Sequence, residues 1–194
     1  MKKAIWGALV FTIAVACNKS RPEPIVEPYP SMLYKDLADS SIAFGRIASF
    51  DVDNNGEKDV LFSTQLVGDP VEQKDKQQWL VTSSFNANLP VNSTEHIPVL
   101  HYLDSIPLND FSGYPWYNAS SILLSQKTIT MTTPPYWEGD WKEASHRFIP
   151  IQLIKQEGLY NGWIEVSFST GNEKLILHKA AICKEVNKNI SAGK

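Results

Sequence analysis

The sequence predicts an all-β fold, an antiparallel β-sandwich of jelly-roll-like type. Short runs rich in β-branched and aromatic residues recur along the chain, separated by clusters of Gly, Pro, Asn and Asp. Such runs are typical of strands joined by turns, and no long amphipathic helical pattern interrupts them. Their number and spacing favour two packed sheets.

Seven strands are predicted in order: residues 60–66, 79–82, 121–124, 128–131, 148–154, 163–168 and 174–178. In the sixth, Ile164, Val166 and Phe168 share one face while Glu165 and Ser167 take the other, as the two-residue strand period requires. A turn over residues 169–173 leads directly into the seventh strand. The last two strands are therefore predicted to form a hairpin.

The N-terminus has the pattern of a bacterial lipoprotein signal peptide, assigned to residues 1–16. Lys2 and Lys3 precede an apolar run over residues 4–16, about 13 residues long, which is shorter than the roughly 20 that cross a bilayer. Small residues before Cys17 suit cleavage and lipidation at that cysteine. Ala14, where lipoboxes usually carry leucine, leaves open an ordinary secretory signal. The prediction is a lipid-anchored protein of the bacterial cell envelope, with its membrane contact through Cys17. The outer membrane is favoured, and the inner membrane stays open as the alternative.

Residues 17–30 form a proline-rich tether in this interpretation. Pro22, Pro24, Pro28 and Pro30 lie among charged residues, and proline favours extended conformations of about 3.1 Å per residue, or roughly 40 Å in all. Residues 31–194 have the length of a single domain with a substantial core.

Charge and cysteine content exclude some functions. The chain has 18 basic and 21 acidic residues, a net charge of −3, and removal of Lys2 and Lys3 with the signal peptide makes it −5. Arginine occurs only at positions 21, 46 and 147, so a nucleic-acid partner is not expected. Because Cys183 alone remains after lipidation of Cys17, an internal disulfide is excluded, and Cys183 is predicted to be a buried small hydrophobe.

The strongest chemical signal is a calcium-type loop over residues 51–59. Oxygen-bearing side chains stand at its first, third, fifth and ninth positions, with Gly56 at the sixth. Ca²⁺ takes six to eight oxygen ligands, and a tight loop can aim alternate residues inward. The predicted ligands are Asp51, Asp53, Asn55, Glu57 through its carbonyl, and Asp59.

An EF-hand and a turn without an ion are the two alternatives to a structural calcium site in this loop. Position twelve is Phe62 instead of glutamate and the flanks are strands, so an EF-hand is not expected. Asn54-Asn55-Gly56 could also close a hairpin turn without an ion. Metal is favoured because a turn alone does not require Asp51, Asp53 and Asp59 to gather. The predicted role of Ca²⁺ is structural.

Aromatic loop segments suggest a second class of function, a surface glycan-binding module. Trp116, Tyr136, Trp137 and Trp141 lie in segments rich in proline and glycine, where aromatic rings can stack on flat ligand faces. Packing within the sandwich is the favoured alternative for these rings, and Trp163, inside a strand, is predicted to pack. A glycan or another envelope protein is the expected kind of partner.

Enzyme motifs are weak in this chain. Glu138, Asp140 and Glu165 would form a glycosidase-like pair only if the fold gathered them. The four histidines lack paired metal-ligand spacing, and neither a Gly-x-Ser-x-Gly elbow nor a phosphate-binding loop is present. The sequence therefore predicts no enzymatic activity.

Three blocks of the chain resemble a group of small, secreted or lipid-anchored bacterial proteins of uncharacterised function, many from the Bacteroidetes. Residues 49–62 are similar to the group's strand, Asp-x-Asp-x-Asp-Gly-x-x-Asp loop and strand. Residues 147–153 and 158–166 are similar to its pairing of a strand with a Tyr-Gly-Trp strand, although Asn161 intervenes here. Residues 175–181 and 190–193 are similar to its C-terminal segment and its Ile-x-Ala-Gly ending. The group often carries an Ala-Tyr pair in that segment, whereas here Ala181 is followed by Ile182. The resemblance implies a calcium loop and carries no enzyme activity.

Overall fold

The computed structural model describes residues 29–111 and 113–194, and the regular structure within them is entirely β. The predicted signal peptide, Cys17 and the tether up to residue 28 lie outside these residues. In the described part of the chain, no helix has the length and apolar character needed to span a membrane.

Strand bounds follow the chain from β1 to β13. They are Met32–Ala43 (β1), Ala48–Phe50 (β2), Val60–Asp69 (β3), Lys74–Ser83 (β4), Ala87–Pro90 (β5), Ser105–Ile106 (β6), Trp116–Tyr117 (β7), Ile122–Thr130 (β8), Tyr136–Glu138 (β9), Arg147–Lys155 (β10), Gly158–Ser169 (β11), Lys174–Cys183 (β12) and Ile190–Ser191 (β13).

Two antiparallel sheets form the sandwich, which confirms the predicted fold class. One sheet has the order β1-β12-β11-β10-β5-β7, the other has β2-β3-β4-β8-β9, and β6 pairs separately with β13. In the first sheet, β10, β11 and β12 are joined by hairpins, and β1, which is linked to β10 by a long connection, lies beside β12. This is the strand order of a Greek key. A jelly roll has two Greek keys, whereas the second sheet here is built mainly from hairpins.

The main core lies between the sheets. Phe62 and Trp79 from the five-stranded sheet are fully buried in the same cluster as Ile149, Ile164 and Leu177 from the six-stranded sheet. These residues alternate along their strands with residues of the opposite face, as the pleat requires. Hydrophobic burial between the two inner faces therefore holds the sheets together.

A second apolar cluster covers the opposite face of the six-stranded sheet. Trp163, Phe148 and Ala181 pack there against Ile106 and Ile190 of the small β6–β13 sheet. Both faces of β10, β11 and β12 are thus covered over part of their length, which explains why those strands are nearly continuous apolar runs. The predictions that Trp163 and Cys183 are buried are confirmed, since they are 0% and 1% exposed.

Asn161 fixes this covering segment to the sheet. Its side chain is fully buried, accepts a hydrogen bond from Gln152 Nε2 at 2.9 Å, and donates to the carbonyls of Ile106 at 3.2 Å and Lys188 at 3.1 Å. Buried polar groups need such partners. The asparagine that departs from the Tyr-Gly-Trp pattern therefore has a structural role here.

Two strand predictions are wrong. Residues 121–124 and 128–131, predicted as separate strands, belong largely to one strand, β8, because residues 125–127 between them also pair with β4. The long strand β1 was not predicted. The predicted C-terminal hairpin is confirmed as β11 and β12.

Candidate metal centre

The loop between β2 and β3 brings its two ends together. Phe50 pairs with Val60 in the antiparallel ladder, and the Asp59 amide donates to the Phe50 carbonyl at 2.9 Å. Asn54 and Gly56 have positive φ angles of 62° and 94°, which these two residue types tolerate better than most. The chain therefore turns back within the loop and places Asp59 beside Asp51.

Three carboxylates converge inside this turn. One oxygen from each of Asp51, Asp53 and Asp59 lies within 4.8 Å of the other two, an arrangement that could hold a metal ion. Asp51 and Asp59 are 9% and 3% exposed, and the Asp53 side chain is 2% exposed. Burying three like charges together is unfavourable unless cations or hydrogen bonds compensate them.

Backbone amides supply part of that compensation. The Asn55 and Gly56 amides donate to the two oxygens of Asp51 at 3.2 and 2.9 Å, and the Val52 amide donates to Asp59 Oδ2 at 2.7 Å. These bonds orient both carboxylates from the loop's own backbone. The turn is consequently organised by the same side chains that could bind a metal.

Two lysines of the six-stranded sheet reach into the loop. Lys155 Nζ, at the end of β10, lies 2.7 Å from Asp53 Oδ2. Lys35 Nζ, on β1, donates to the Asp51 carbonyl and to Asn54 Oδ1, the latter at 2.7 Å. The loop thus bridges the two sheets through ammonium groups, and a metal ion bound to Asp53 would compete with Lys155.

The pKa values of two of the carboxyls reflect this environment. Burial raises the pKa of Asp59 to about 6, and the nearby charges of Asp53 and Asp51 act in the same direction. Burial acts on Asp51 as well, but hydrogen bonds from the Gly56 and Asn54 backbone outweigh it and lower the pKa of Asp51. Asp59 is therefore the carboxyl that a nearby cation would affect most.

Asn55 and Glu57 lie on the exposed limb of the loop. Asn55 Oδ1 accepts from the Glu57 amide at 2.7 Å, and Asn55 Nδ2 donates to Asp53 Oδ2 at 3.2 Å. A surface pocket beside this limb is lined by Asp53, Asn55 and Asp59. The structure brings together three of the five predicted ligands, and the ligand roles of Asn55 and Glu57 stay predictions.

The aromatic residues predicted for ligand binding lie in different surroundings. Trp141 is 1% exposed and belongs to the main core, and Trp137 packs against that core with its ring 5.4 Å from that of Trp79. Trp116 packs on the second cluster beside Phe111, while Tyr136 is 39% exposed. Burial leaves Trp141 no face for a ligand, and the packing alternative accounts for Trp137 and Trp116.

The three carboxylates considered for glycosidase chemistry have separate partners. Glu138 accepts from Gln126 and Thr128, Asp140 lies 2.6 Å from His96 Nδ1, and Glu165 lies 2.7 Å from His146 Nδ1. Each carboxylate is therefore used in a contact of its own.

Comparison of the chain with protein-family models, with curated proteins and with solved structures finds no match. The class that fold and site define is an all-β sandwich with an acidic cluster at one sheet edge.

Proposed function

We propose that this chain is a lipid-anchored extracytoplasmic protein in which residues 51–59 bind one structural Ca²⁺ ion. The observation that supports the proposal most directly is the convergence of Asp51, Asp53 and Asp59 within 4.8 Å. Carboxylate oxygens are hard ligands suited to Ca²⁺. The ion would neutralise the cluster and tie β2 to β3.

Calcium is favoured over the other metals by the chemistry of the donors. The loop offers carboxylate, amide and carbonyl oxygens and neither histidine nor cysteine, a set that suits Ca²⁺ or Mg²⁺ better than Zn²⁺ or copper. Ca²⁺ accepts more ligands and a less regular geometry than Mg²⁺. A single loop with five candidate oxygen donors suits Ca²⁺, which also accepts water as a ligand.

A turn without an ion is the competing explanation, and hydrogen bonds inside the loop support it. The Asn55 amide donates to Asp53 Oδ1 at 3.1 Å, and the Glu57 amide donates to Asn55 Oδ1. Each bond closes a turn through a side chain. These bonds account for the shape of the loop. They do not account for the burial of Asp59 beside two other carboxylates.

Thermal unfolding of the full-length chain in mild detergent, first with EDTA and then with excess Ca²⁺, tests the proposal. A ligand that binds only the folded state at 100 times its Kd adds about 2.7 kcal/mol. For a chain of this size, we expect the melting temperature to rise by about 5 to 10 °C. Asp51→Asn with Asp53→Asn should abolish the rise.

Asp75→Asn is the matched control, because Asp75 is exposed on β4 and outside the cluster. That variant should keep the full calcium response. If the melting temperature of the wild-type chain is unchanged up to about 10 mM Ca²⁺, the loop is only a turn. Extracellular calcium modules bind in or below the millimolar range, so a real site would respond.

A further inference from the structure

A second group of polar side chains lies on the six-stranded sheet, away from the acidic loop. Ser167 is on β11, His178 on β12 and Asp39 on β1, so three adjacent strands contribute one residue each. Ser167 belongs to the face of β11 opposite Val166 and Phe168, which are in the main core. The group is therefore on the outer face of the sandwich.

The hydrogen bonds of this group run in one order. Ser167 Oγ lies 2.8 Å from His178 Nε2, and His178 Nδ1 lies 2.6 Å from Asp39 Oδ1. An ionised carboxylate only accepts hydrogen bonds, so His178 Nδ1 must carry a proton. In the neutral ring Nε2 is then an acceptor, and Ser167 donates its hydroxyl proton to it. A nucleophile, a base and a group that orients the base are placed as in serine hydrolases.

Local irregularities in two strand pairings place His178 in this position. On the β1 side, the register passes from Asp36↔Lys179 to Ser40↔Leu177, and on the β11 side from Glu165↔Lys179 to Val166↔Leu177. His178 is skipped in both pairings. β-Bulges turn a side chain out of its regular direction and are frequent beside active sites.

The bulge in β1 also contains backbone in an uncommon conformation. Ala38 and Asp39 have φ angles of 55° and 50°, which cost energy for residues other than glycine. The result is that Asp39, on an edge strand, reaches the ring of His178.

His146 and Glu165 complete the surroundings of the nucleophile. The His146 amide donates to Ser167 Oγ at 2.9 Å, and the His146 ring stacks on that of His178 with centroids 4.3 Å apart. Glu165 Oε1 lies 2.7 Å from His146 Nδ1, and Lys179 Nζ lies 3.4 Å from Glu165 Oε2. Ser167 Oγ is thus held between a backbone donor and the Nε2 atom of His178.

We propose that Ser167, His178 and Asp39 form a nucleophilic site that hydrolyses carboxylic esters presented at the protein surface. Ser167 Oγ attacks the ester carbonyl carbon while its proton passes to His178 Nε2. The bond from that carbon to the alkoxy oxygen then breaks, and His178 returns the proton to the departing oxygen, which leaves as an alcohol.

Water completes the cycle by attacking the acyl group on Ser167. It gives a proton to His178 Nε2, the bond between the acyl carbon and Ser167 Oγ breaks, and Ser167 takes the proton back as the carboxylic acid leaves. Asp39 is a positioning residue, because it acts only through His178. The setting is open on two sides, since the His146 and Asp39 side chains are 64% and 75% exposed while His178 between them is 17% exposed, so the site suits an ester reached from solvent.

The test is covalent labelling of the full-length folded chain by a fluorophosphonate probe, with the modified residue identified by peptide mass spectrometry, alongside hydrolysis of p-nitrophenyl acetate. We expect the label on Ser167, and we expect Ser167→Ala to lose it. His178→Gln should slow labelling at least about 100-fold, given the size of general-base effects. Ser169→Ala, two residues along β11, is the matched control and should label as the wild type does.

Asp39→Asn separates positioning from simple support of the fold. It should lower the hydrolysis rate at least about 100-fold, because a histidine held in the wrong tautomer costs more than that in serine proteases. The pH profile of hydrolysis should also change, while the melting temperature stays within a few degrees of the wild-type value. The pH profile also reports on His146, Glu165 and Lys179, which face the same rings. A wild-type chain that is folded by circular dichroism but labels no faster than after heat denaturation would overturn the proposal, as would a label that persists in Ser167→Ala.

Discussion

At the scale of single residues, Asp59 is the loop carboxyl whose pKa burial raises, and the proposed metal ion would reverse that effect. Its side chain is buried beside two carboxylates, and its pKa is raised to about 6 from an ordinary 3.8. Between these two pKa values, Asp59 keeps its proton in the folded state and has released it in the unfolded state. Without metal, this group therefore stabilises the fold fully below about pH 4, and the contribution is lost as the pH rises through 6.

The first residue-scale prediction follows from that sign. In EDTA, raising the pH from 4 to 7 should lower the free energy of unfolding of the wild type relative to Asp59→Asn by up to about 3 kcal/mol. Excess Ca²⁺ should remove the difference, because the ion binds the carboxylate form. Urea unfolding at each pH measures it. A wild type and an Asp59→Asn variant whose stabilities change in parallel with pH would contradict the assignment.

Lys155 supports a second prediction at this scale. Its ammonium group lies 2.7 Å from Asp53 Oδ2, so a metal ion bound to that oxygen would compete with it. Lys155→Met should raise calcium affinity by about tenfold, or about 1.4 kcal/mol, and in EDTA it should destabilise the fold because Asp53 loses its partner. Calcium titrations of both chains measure the change.

The control for this prediction is Lys127→Met. Lys127 pairs with Glu173 at 2.6 Å, outside the acidic cluster, so its removal should leave calcium affinity unchanged. Equal affinities for the wild type and Lys155→Met would mean that Lys155 does not compete for the site.

At the scale of elements, the sequence predicts what depends on neighbours along the chain. The β11–β12 hairpin and the 51–59 loop are local, so a two-residue period and a nine-residue spacing were sufficient to find them. Strand β1 was missed because it is an edge strand with only Leu37 and Ile42 buried and a bulge that breaks its alternation. The approach of Lys155 to Asp53, and of Asp39 to His178, joins distant segments, and no spacing rule predicts such contacts.

Gly162 gives an element-scale prediction on β11. A Cβ atom there would lie 2.4 Å from the Ala181 carbonyl oxygen and 2.2 Å from Ile182 Cδ1, so strands β11 and β12 would have to move apart. Gly162→Ala should destabilise the chain by about 1 to 3 kcal/mol. Chemical denaturation measures the loss.

Gly171→Ala is the matched control, since a Cβ atom at that turn position meets nothing within 4 Å. It should be neutral or slightly stabilising, because alanine restricts the unfolded chain. If both alanine variants were equally stable, the close packing of β11 on β12 would be refuted.

At the scale of the whole molecule, strands β10 to β12 of the six-stranded sheet are covered on both faces over part of their length. The apolar runs of β10 to β12 indicate that these strands are buried. They do not show that the β6–β13 sheet covers the outer face of those strands. That cover depends on Asn161, whose three hydrogen bonds reach residues far apart in sequence. The packing of the aromatic loops was undecidable from sequence for the same reason.

Anchoring through Cys17 is the prediction that belongs to this scale. In a bacterial host, the mature chain should begin at Cys17, carry lipid by intact-mass spectrometry and sediment with membranes. Cys17→Ala should appear in the soluble fraction, whereas Cys183→Ala, which alters a buried cysteine, should stay with the membranes. A wild-type chain that carries no lipid and stays in the soluble fraction would refute lipid anchoring and leave the ordinary secretory signal as the explanation of residues 1–16.

Isothermal titration calorimetry of Ca²⁺ into the EDTA-treated, dialysed chain is the decisive experiment on metal binding by residues 51–59. One ion should bind per wild-type chain, and Asp51→Asn with Asp53→Asn, whose folded state is checked by circular dichroism, should give no binding heat. Absence of binding by the wild type, or equal binding by the variant, would contradict the proposed calcium site.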